Sequence, residues 1–356
     1  MGVILFILIL AVLVLVHELG HFLAAKKNGV LVEEFGFGFP PRLFGIKKGE
    51  TLYSINLLPL GGFVKLYGEE YHEDKKSKSS LRDRTFIYKK PWQKIVIIVA
   101  GILGNFLLGW VIISFLFTQG VPTPTNQVLV ESVQKNSPAE SAGLQARDQV
   151  TKIVVRKQEY SIKTSEDLIL LSKKNAGIPM TVSVKRKGVE KQLEITPRKN
   201  PPSGQGPLGV VVTTPFVEKK YSWIEAPYYG LVFAFETTVR IVQGLSKVIV
   251  QFVTFQKTDA DVRGPIGIAQ ITGETIKFGK NAVLELTALL SLNLAVINIL
   301  PFPALDGGRL VFVLYEWATK KRVNKTVERY VNLFGIVLLL TLAFVISVQD
   351  VFRLLK

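Results

Sequence analysis

Apolar runs punctuate the chain and divide it into membrane and water-facing parts. Residues 1–16 are apolar throughout, and the run passes through His17-Glu18-Leu19-Gly20-His21 and resumes as Phe22-Leu23-Ala24-Ala25 before Lys26-Lys27. About 25 helical residues are enough to span a bilayer core. A cleaved leader would need a basic start and a small-residue cleavage site after the run, and this stretch shows neither. A second run covers 92–118, where Gly101, Gly104 and Gly109 predict close helix packing. A third apolar block covers 283–316 and is interrupted by Pro301 and Pro303; a last run covers 331–348. Segment 222–256 is also apolar but carries Glu225, Glu236, Arg240 and Lys247, which fits an amphipathic helix on the membrane surface better than a span.

Two intervening stretches have a different period. In 35–67, Phe35-Gly36-Phe37-Gly38-Phe39 and Tyr53 to Leu66 are too broken for a helix and too apolar for a solvated loop. They predict a β-element dipping into the cytoplasmic half of the membrane, its backbone satisfied by protein or a watered cavity. Residues 125–215 read as a small mixed domain. Val128-Leu129-Val130 and Met180 to Lys185 predict strands, Ser165–Lys173 a helix with Ser165 as N-cap, and Gln192 to Ile195 a closing strand. Within it, Ser137-Pro138-Ala139 and Ala142-Gly143-Leu144 resemble a PDZ domain of the type found in membrane and periplasmic proteases; Arg147-Asp148 stands where that pattern has Gly-Asp. Such domains bind extended peptides by strand addition.

Composition agrees with this mixture. At 48% hydrophobic residues the chain is too apolar for an ordinary soluble protein and too polar for a bare helix bundle. Its net charge of +16 reads as topology. Residues 26–94 hold 14 Lys/Arg against 8 Asp/Glu, and Lys320, Lys321, Arg322 and Lys325 cluster after the third block, so both regions are expected in the cytoplasm. Residues 125–215 and both termini then lie outside. No basic, aromatic-studded domain is present, so no nucleic-acid partner is expected. Without cysteine, disulfides, thiol catalysis and Cys-ligated zinc are excluded.

The chemistry concentrates in the first run. His17 and His21, at i and i+4, share one helix face and can grip one metal ion, with Glu18 beside that face to act on a water. The five-residue pattern alone recurs by chance in about one chain per hundred. Its setting sharpens it, because two His and a Glu inside an apolar helix cost several kcal/mol unless paired or functional. A catalytic zinc takes three protein ligands and leaves a place for water. Asp306, in Leu300-Pro301-Phe302-Pro303-Ala304-Leu305-Asp306-Gly307-Gly308, is the candidate third ligand, since the prolines unwind the block and turn a carboxylate inward; an ordinary Asp-Gly turn is the plain alternative. Asn293 and Asn298 either glue helices together or hydrogen-bond a substrate backbone.

These motifs together, with Gly61-Gly62-Phe63-Val64-Lys65 and the Gly264-Pro265-Ile266-Gly267-Ile268-Ala269 segment, resemble the site-2 protease family of intramembrane zinc metalloproteases, closest to the bacterial regulator of sigma-E protease type. The likeness runs along nearly the whole chain. It implies Zn2+ on His17, His21 and Asp306, Glu18 as base, Asn293 and Asn298 as substrate contacts, and Gly61, Gly62, Phe63, Val64 and Lys65 as a membrane-reentrant β-loop pairing with an unwound substrate. The sigma-E relative carries two tandem PDZ domains; this chain has room for one. The family's substrates are single-span proteins such as anti-sigma factors and remnant signal peptides, cut in the bacterial inner membrane after an upstream site-1 type protease.

The expected fold is a polytopic α-helical membrane protein of about four transmembrane helices with a membrane-reentrant β-loop and an inserted α+β PDZ domain. Its parts are a first helix with the zinc motif (1–26), the cytoplasmic and reentrant region (27–91), a second helix (92–119), the extracytoplasmic PDZ domain (125–215), the surface segment (221–282), a third helix with the Asp ligand (283–318) and a fourth (330–349). An inactive PDZ-based quality-control or binding protein is the competing reading, and the intact Glu18 and Asp306 speak against it. A zinc transporter would more often show repeated halves, which are absent from the sequence.

Overall fold

In a computed structural model the described residues are 2–69, 79–254, 256 and 263–355. The readings of 27–91 and 221–282 extend in part over residues outside these. The chain forms two compact units, one of Met1–Thr118 with Tyr221–Lys356 and one of Gln119–Lys220.

The first unit opens with α1 (Gly2–Lys27), which ends on Lys26 and Lys27, cations that suit a helix C-terminus. Gly29 then turns left-handed at φ 66, and the Val30 N–H donates to Ala25 O, closing the cap. Two long strands follow, β1 (Val32–Lys48) and β2 (Thr51–Leu66). Both bend, so one pair of strands makes four adjacent segments. Residues 32–37 lie between 62–66 on one side and 52–55 on the other, and 42–48 pairs back onto 51–56. Segment 61–66 is therefore an edge of this sheet. Ala25, Val30, Val32, Leu66 and Ile97 bury the sheet's root against the helices.

Next comes α2 (Pro91–Gln119), which crosses α1 at very close range. A side chain on Gly20 would strike the Ala100 backbone, and one on Gly104 would come 2.9 Å from Val16 O. In the C-terminal half, α5 (Ala226–Val253), after the elements of the second unit, rests Ala234 on Ile113 of α2 and on Ala288 and Leu292. Those two belong to α7 (Lys280–Ile299), which follows α6 (Pro265–Thr275). α8 (Asp306–Thr319) and α9 (Lys325–Leu354) complete the unit. A buried Asp350 of α9 accepts from Gly264 N (2.9 Å) and Gly267 N (2.8 Å), capping the positive end of α6.

Four of the described helices are long and apolar enough to cross a membrane: Gly2–Lys27, Pro91–Gln119, Lys280–Ile299 and Thr326–Leu354. The third block differs from the single interrupted helix expected over 283–318. It is two helices, α7 and α8, joined by 300–305, because Pro301 and Pro303 cannot donate to a helix ladder and Ala304 takes a left-handed φ of 71. Helix α7 begins at Lys280, so the end of the segment read as 221–282 already belongs to it.

The second unit holds β3 (Val121–Pro124), β4 (Val128–Val133), α3 (Pro138–Ser141), β5 (Gln149–Val155), β6 (Gln158–Ser161), α4 (Ser165–Lys174), β7 (Met180–Arg186), β8 (Val189–Ile195), β9 (Val210–Thr213) and β10 (Phe216–Lys219). The main sheet has order β8-β7-β5-β4-β9, with β6 on β5, and β3 pairs with β10 where the chain enters and leaves. Fourteen buried apolar residues, Val130, Ile153, Leu168 and Val182 among them, form its core. The cap of α4 is Thr164 rather than Ser165, because Thr164 and Asp167 bond each other's backbone N–H. Strand β9 follows the segment read as closing and adds to the opposite side of the sheet. Arg147 sits left-handed at φ 70, where glycine would be unstrained. Fully buried Asp148 takes both arms of Arg186 at 2.7 Å and the Gln145 N–H at 2.9 Å. Burial alone would raise its pKa; these bonds outweigh that and hold it below the usual carboxylate range.

Candidate metal centre

Helical spacing stacks His17 over His21, and the loop 300–305 delivers Asp306 to them from the far end of the sequence. Gly307 and Gly308 permit that delivery. A side chain on either would collide with the carbonyls of Ile299, Leu300 and Phe302, over which the first turn of α8 folds. His17 Nε2 lies 3.0 Å from Asp306 Oδ2, His21 Nε2 lies 3.2 Å from the same oxygen, and the two Nε2 atoms are 3.2 Å apart. The three side chains are 11%, 12% and 13% exposed.

These distances fit a metal. Ligands about 2.0–2.1 Å from a tetrahedral zinc stand about 3.3 Å from one another, close to the triangle found here. Two imidazoles and a carboxylate also suit zinc chemically and leave a fourth position open. His21 Nδ1 lies 2.8 Å from Ile97 O, which can only accept. The ring hydrogen therefore sits on Nδ1, and the Nε2 lone pair points into the cluster. On the α2 side, a side chain at Gly101 would come 2.5 Å from His21 Cε1 and 2.7 Å from Cδ2, so glycine there makes room for the ring.

Glu18 is half-buried and follows His17 directly on α1. The edge segment of β2 passes directly over it: a side chain on Gly62 would stand 3.0 Å from Glu18 Cγ and 3.2 Å from Val14 Cγ1. Gly61, Gly62, Phe63, Val64 and Lys65 thus line the strand that borders the metal motif; Lys65 pairs with Glu33 at 3.1 Å. The two asparagines of α7 are not bonded to the cluster. Asn293 Nδ2 donates to Leu289 O at 3.0 Å within its own helix, and the half-buried Asn298 amide has no hydrogen bond to the described residues.

Three further contacts escaped the sequence. Asn105, fully buried on α2, places Nδ2 3.3 Å from His17 Nδ1; its signal was a lone amide in an apolar helix. Buried Lys94 bonds Glu316 of α8 at 2.9 Å, and Arg309 of α8 bonds Glu69 at 2.6 Å. Nothing local marks these pairs, whose partners are distant in sequence.

His17 and His21 on an apolar helix, Asp306 against them and Glu18 beside them form a cluster that could hold a metal ion, as membrane metallohydrolases require. Comparison with known proteins then places it: the chain matches Peptidase family M50 over residues 5–342 and belongs to that family. A Clostridium perfringens protein named "Putative zinc metalloprotease" is 34% identical over 355 residues, covering 99% of this chain and 98% of its own. One of the same description from Clostridium acetobutylicum is 33% identical over 351 residues, covering 98% and 97%. The regulator of sigma-W protease RasP of Bacillus subtilis is 30% identical over 428 residues, covering 99% and 98%. The chain is thus a multi-pass membrane zinc metalloprotease of the site-2 protease type, and its metal is Zn2+.

Proposed function

We propose that the protein hydrolyses peptide bonds within or near the membrane segments of single-span proteins. The observation that carries this reading is the donor triangle formed by two histidines of α1, an apolar helix long enough to cross a membrane, and Asp306 at the start of α8, with a strand edge lying across Glu18. His17, His21 and Asp306 would hold the zinc. When bound, zinc supplies a Lewis acid that polarises the scissile carbonyl and acidifies a water. Glu18 would act as base and acid, its carboxylate taking a proton from the attacking water and handing one to the departing amine nitrogen. A helical peptide bond is shielded by its own hydrogen bonds, so the substrate must be unwound first. Gly61–Lys65 would act as a membrane-reentrant edge that trades helix bonds for strand bonds, and Asn298, free to bond, would hold a substrate carbonyl, with Asn293 beside it.

The 119–220 unit is read as one PDZ domain, supported by its five-stranded core sheet and short flanking helices. By the Lys/Arg distribution it faces outside a bacterial inner membrane, with the active site towards the cytoplasm and α5 lying on the membrane surface. Substrates of this class, anti-sigma factors or remnant signal peptides, would arrive already trimmed by a site-1 type protease; the Bacillus subtilis relative is named for regulation of a sigma factor. The test is cleavage of a model single-span substrate in vesicles by wild type and by Glu18→Gln, with zinc measured in both. The expected outcome is equal zinc and at least a hundredfold slower cleavage in the variant; equal rates would refute the mechanism.

A further inference from the structure

We infer that Asn105 is a positioning residue that holds the His17 ring for zinc through its side-chain oxygen. The inference rests on the zinc reading of the cluster and extends it to the α2 helix.

His17 turns Nε2 towards Asp306 and His21, at 3.0 and 3.2 Å. A ligating Nε2 must present a lone pair, so in the neutral ring the hydrogen is on Nδ1. Nδ1 is then a donor, and the group facing it at 3.3 Å is the side-chain amide of Asn105. An amide nitrogen there would set donor against donor. In the same orientation Asn105 Oδ1 is buried without any partner. A half turn of the amide ends the donor–donor clash, because the oxygen then accepts from His17 Nδ1.

Asn105 is fully buried, and its backbone carbonyl accepts from Ser291 Oγ of α7 at 2.7 Å. The opposite histidine has a matching arrangement, with His21 Nδ1 against Ile97 O, eight residues earlier on the same helix. Residues 97, 101 and 105 repeat every four positions on one face of α2. They supply an acceptor for His21, space for its ring and an acceptor for His17. Ligating histidines usually have such an acceptor behind them, and losing one typically weakens metal binding.

The test compares Asn105→Leu, which deletes the acceptor at similar size, with Asn105→Asp, which keeps an oxygen there and deletes the amide hydrogens. Full-length protein in detergent is titrated for zinc against a chelator, and its Co2+ form is read by visible absorption. The expected result is zinc binding about 10–100-fold weaker in Asn105→Leu with shifted Co2+ bands, and binding and bands restored in Asn105→Asp. Ser291→Ala, which loosens the packing behind the amide, should leave the bands unmoved. Wild-type affinity and spectrum in Asn105→Leu would overturn the inference. Equal weakening in Asn105→Asp would overturn it too, and that variant decides alone if Asn105→Leu does not fold. Full zinc in Asp306→Ala would instead remove the cluster reading itself, which separates the two failures.

Discussion

Replacing Gly101 with alanine adds one methyl group and should empty the metal centre. The new carbon would stand 2.5 Å from His21 Cε1 and 2.7 Å from Cδ2, with Nε2 closer still. Carbon atoms in contact prefer about 3.5–4.0 Å, so the ring must retreat by about 1 Å. It cannot do so freely, since Nδ1 is held on Ile97 O at 2.8 Å. Nor can the helices part cheaply, because Gly20 rests on the Ala100 backbone one residue away. Zinc ligand distances tolerate only about 0.2 Å, so a 1 Å shift amounts to losing one of three protein ligands. We expect zinc affinity to fall at least about a hundredfold, or about 2.7 kcal/mol. The assay is chelator competition on purified full-length protein, with cleavage measured at saturating zinc. Gly109→Ala is the control: its methyl would press on the Leu292 side chain, away from the cluster, so folding suffers while zinc affinity holds. Wild-type zinc affinity in Gly101→Ala would refute the argument that α2 shapes the site.

Val64→Pro removes a backbone N–H from the β2 edge segment without touching the cluster; it should keep zinc yet cut slowly, and less slowly on substrates already weakened by helix-breaking residues, whereas unchanged cleavage would reduce this edge to scaffolding. Glu316→Ala strands the buried Lys94 ammonium and should cost about 3–5 kcal/mol, seen as a lower melting temperature in detergent; an unchanged melt would mean that water already solvates the ammonium and the pair adds nothing. Asp148 has a depressed folded pKa, so its contribution to the 119–220 unit is complete above about pH 4 and is lost as pH falls through the folded value. Hydrogen exchange of β5 and β7 in the full-length protein should therefore show acid loosening in wild type and a flatter pH response in Asp148→Asn; identical slopes would contradict this.

The three side chains that the structure brings together, His17, His21 and Asp306, were legible because their clues are local. A pair of histidines one turn apart and an Asp-Gly-Gly behind two prolines are visible without any partner. The apolar runs likewise announced their helices, since lipid demands length. The division between α7 and α8 was only half visible: the prolines marked the break, but nothing marked that 300–305 would fold over the first turn of α8. Residues 42–48 were not read as strand because their charges and exposed apolar side chains give no clean period, and their pairing depends on the bend of β1. Asn105, Lys94 and Arg309 lay furthest from reach. Each is defined by a group on another segment of the chain, and a charge or amide in an apolar helix signals a partner without naming it.

Asp306 lies 285 residues after His21, yet the two meet at 3.2 Å. At about 5–20 residues per second, a ribosome needs tens of seconds to travel between them. Throughout that interval α1 is complete and the donor set is not. Until Asp306 has emerged, the proposed zinc site lacks its third ligand. Completion of the catalytic centre is a report that both ends of the first unit have been made, inserted and brought together.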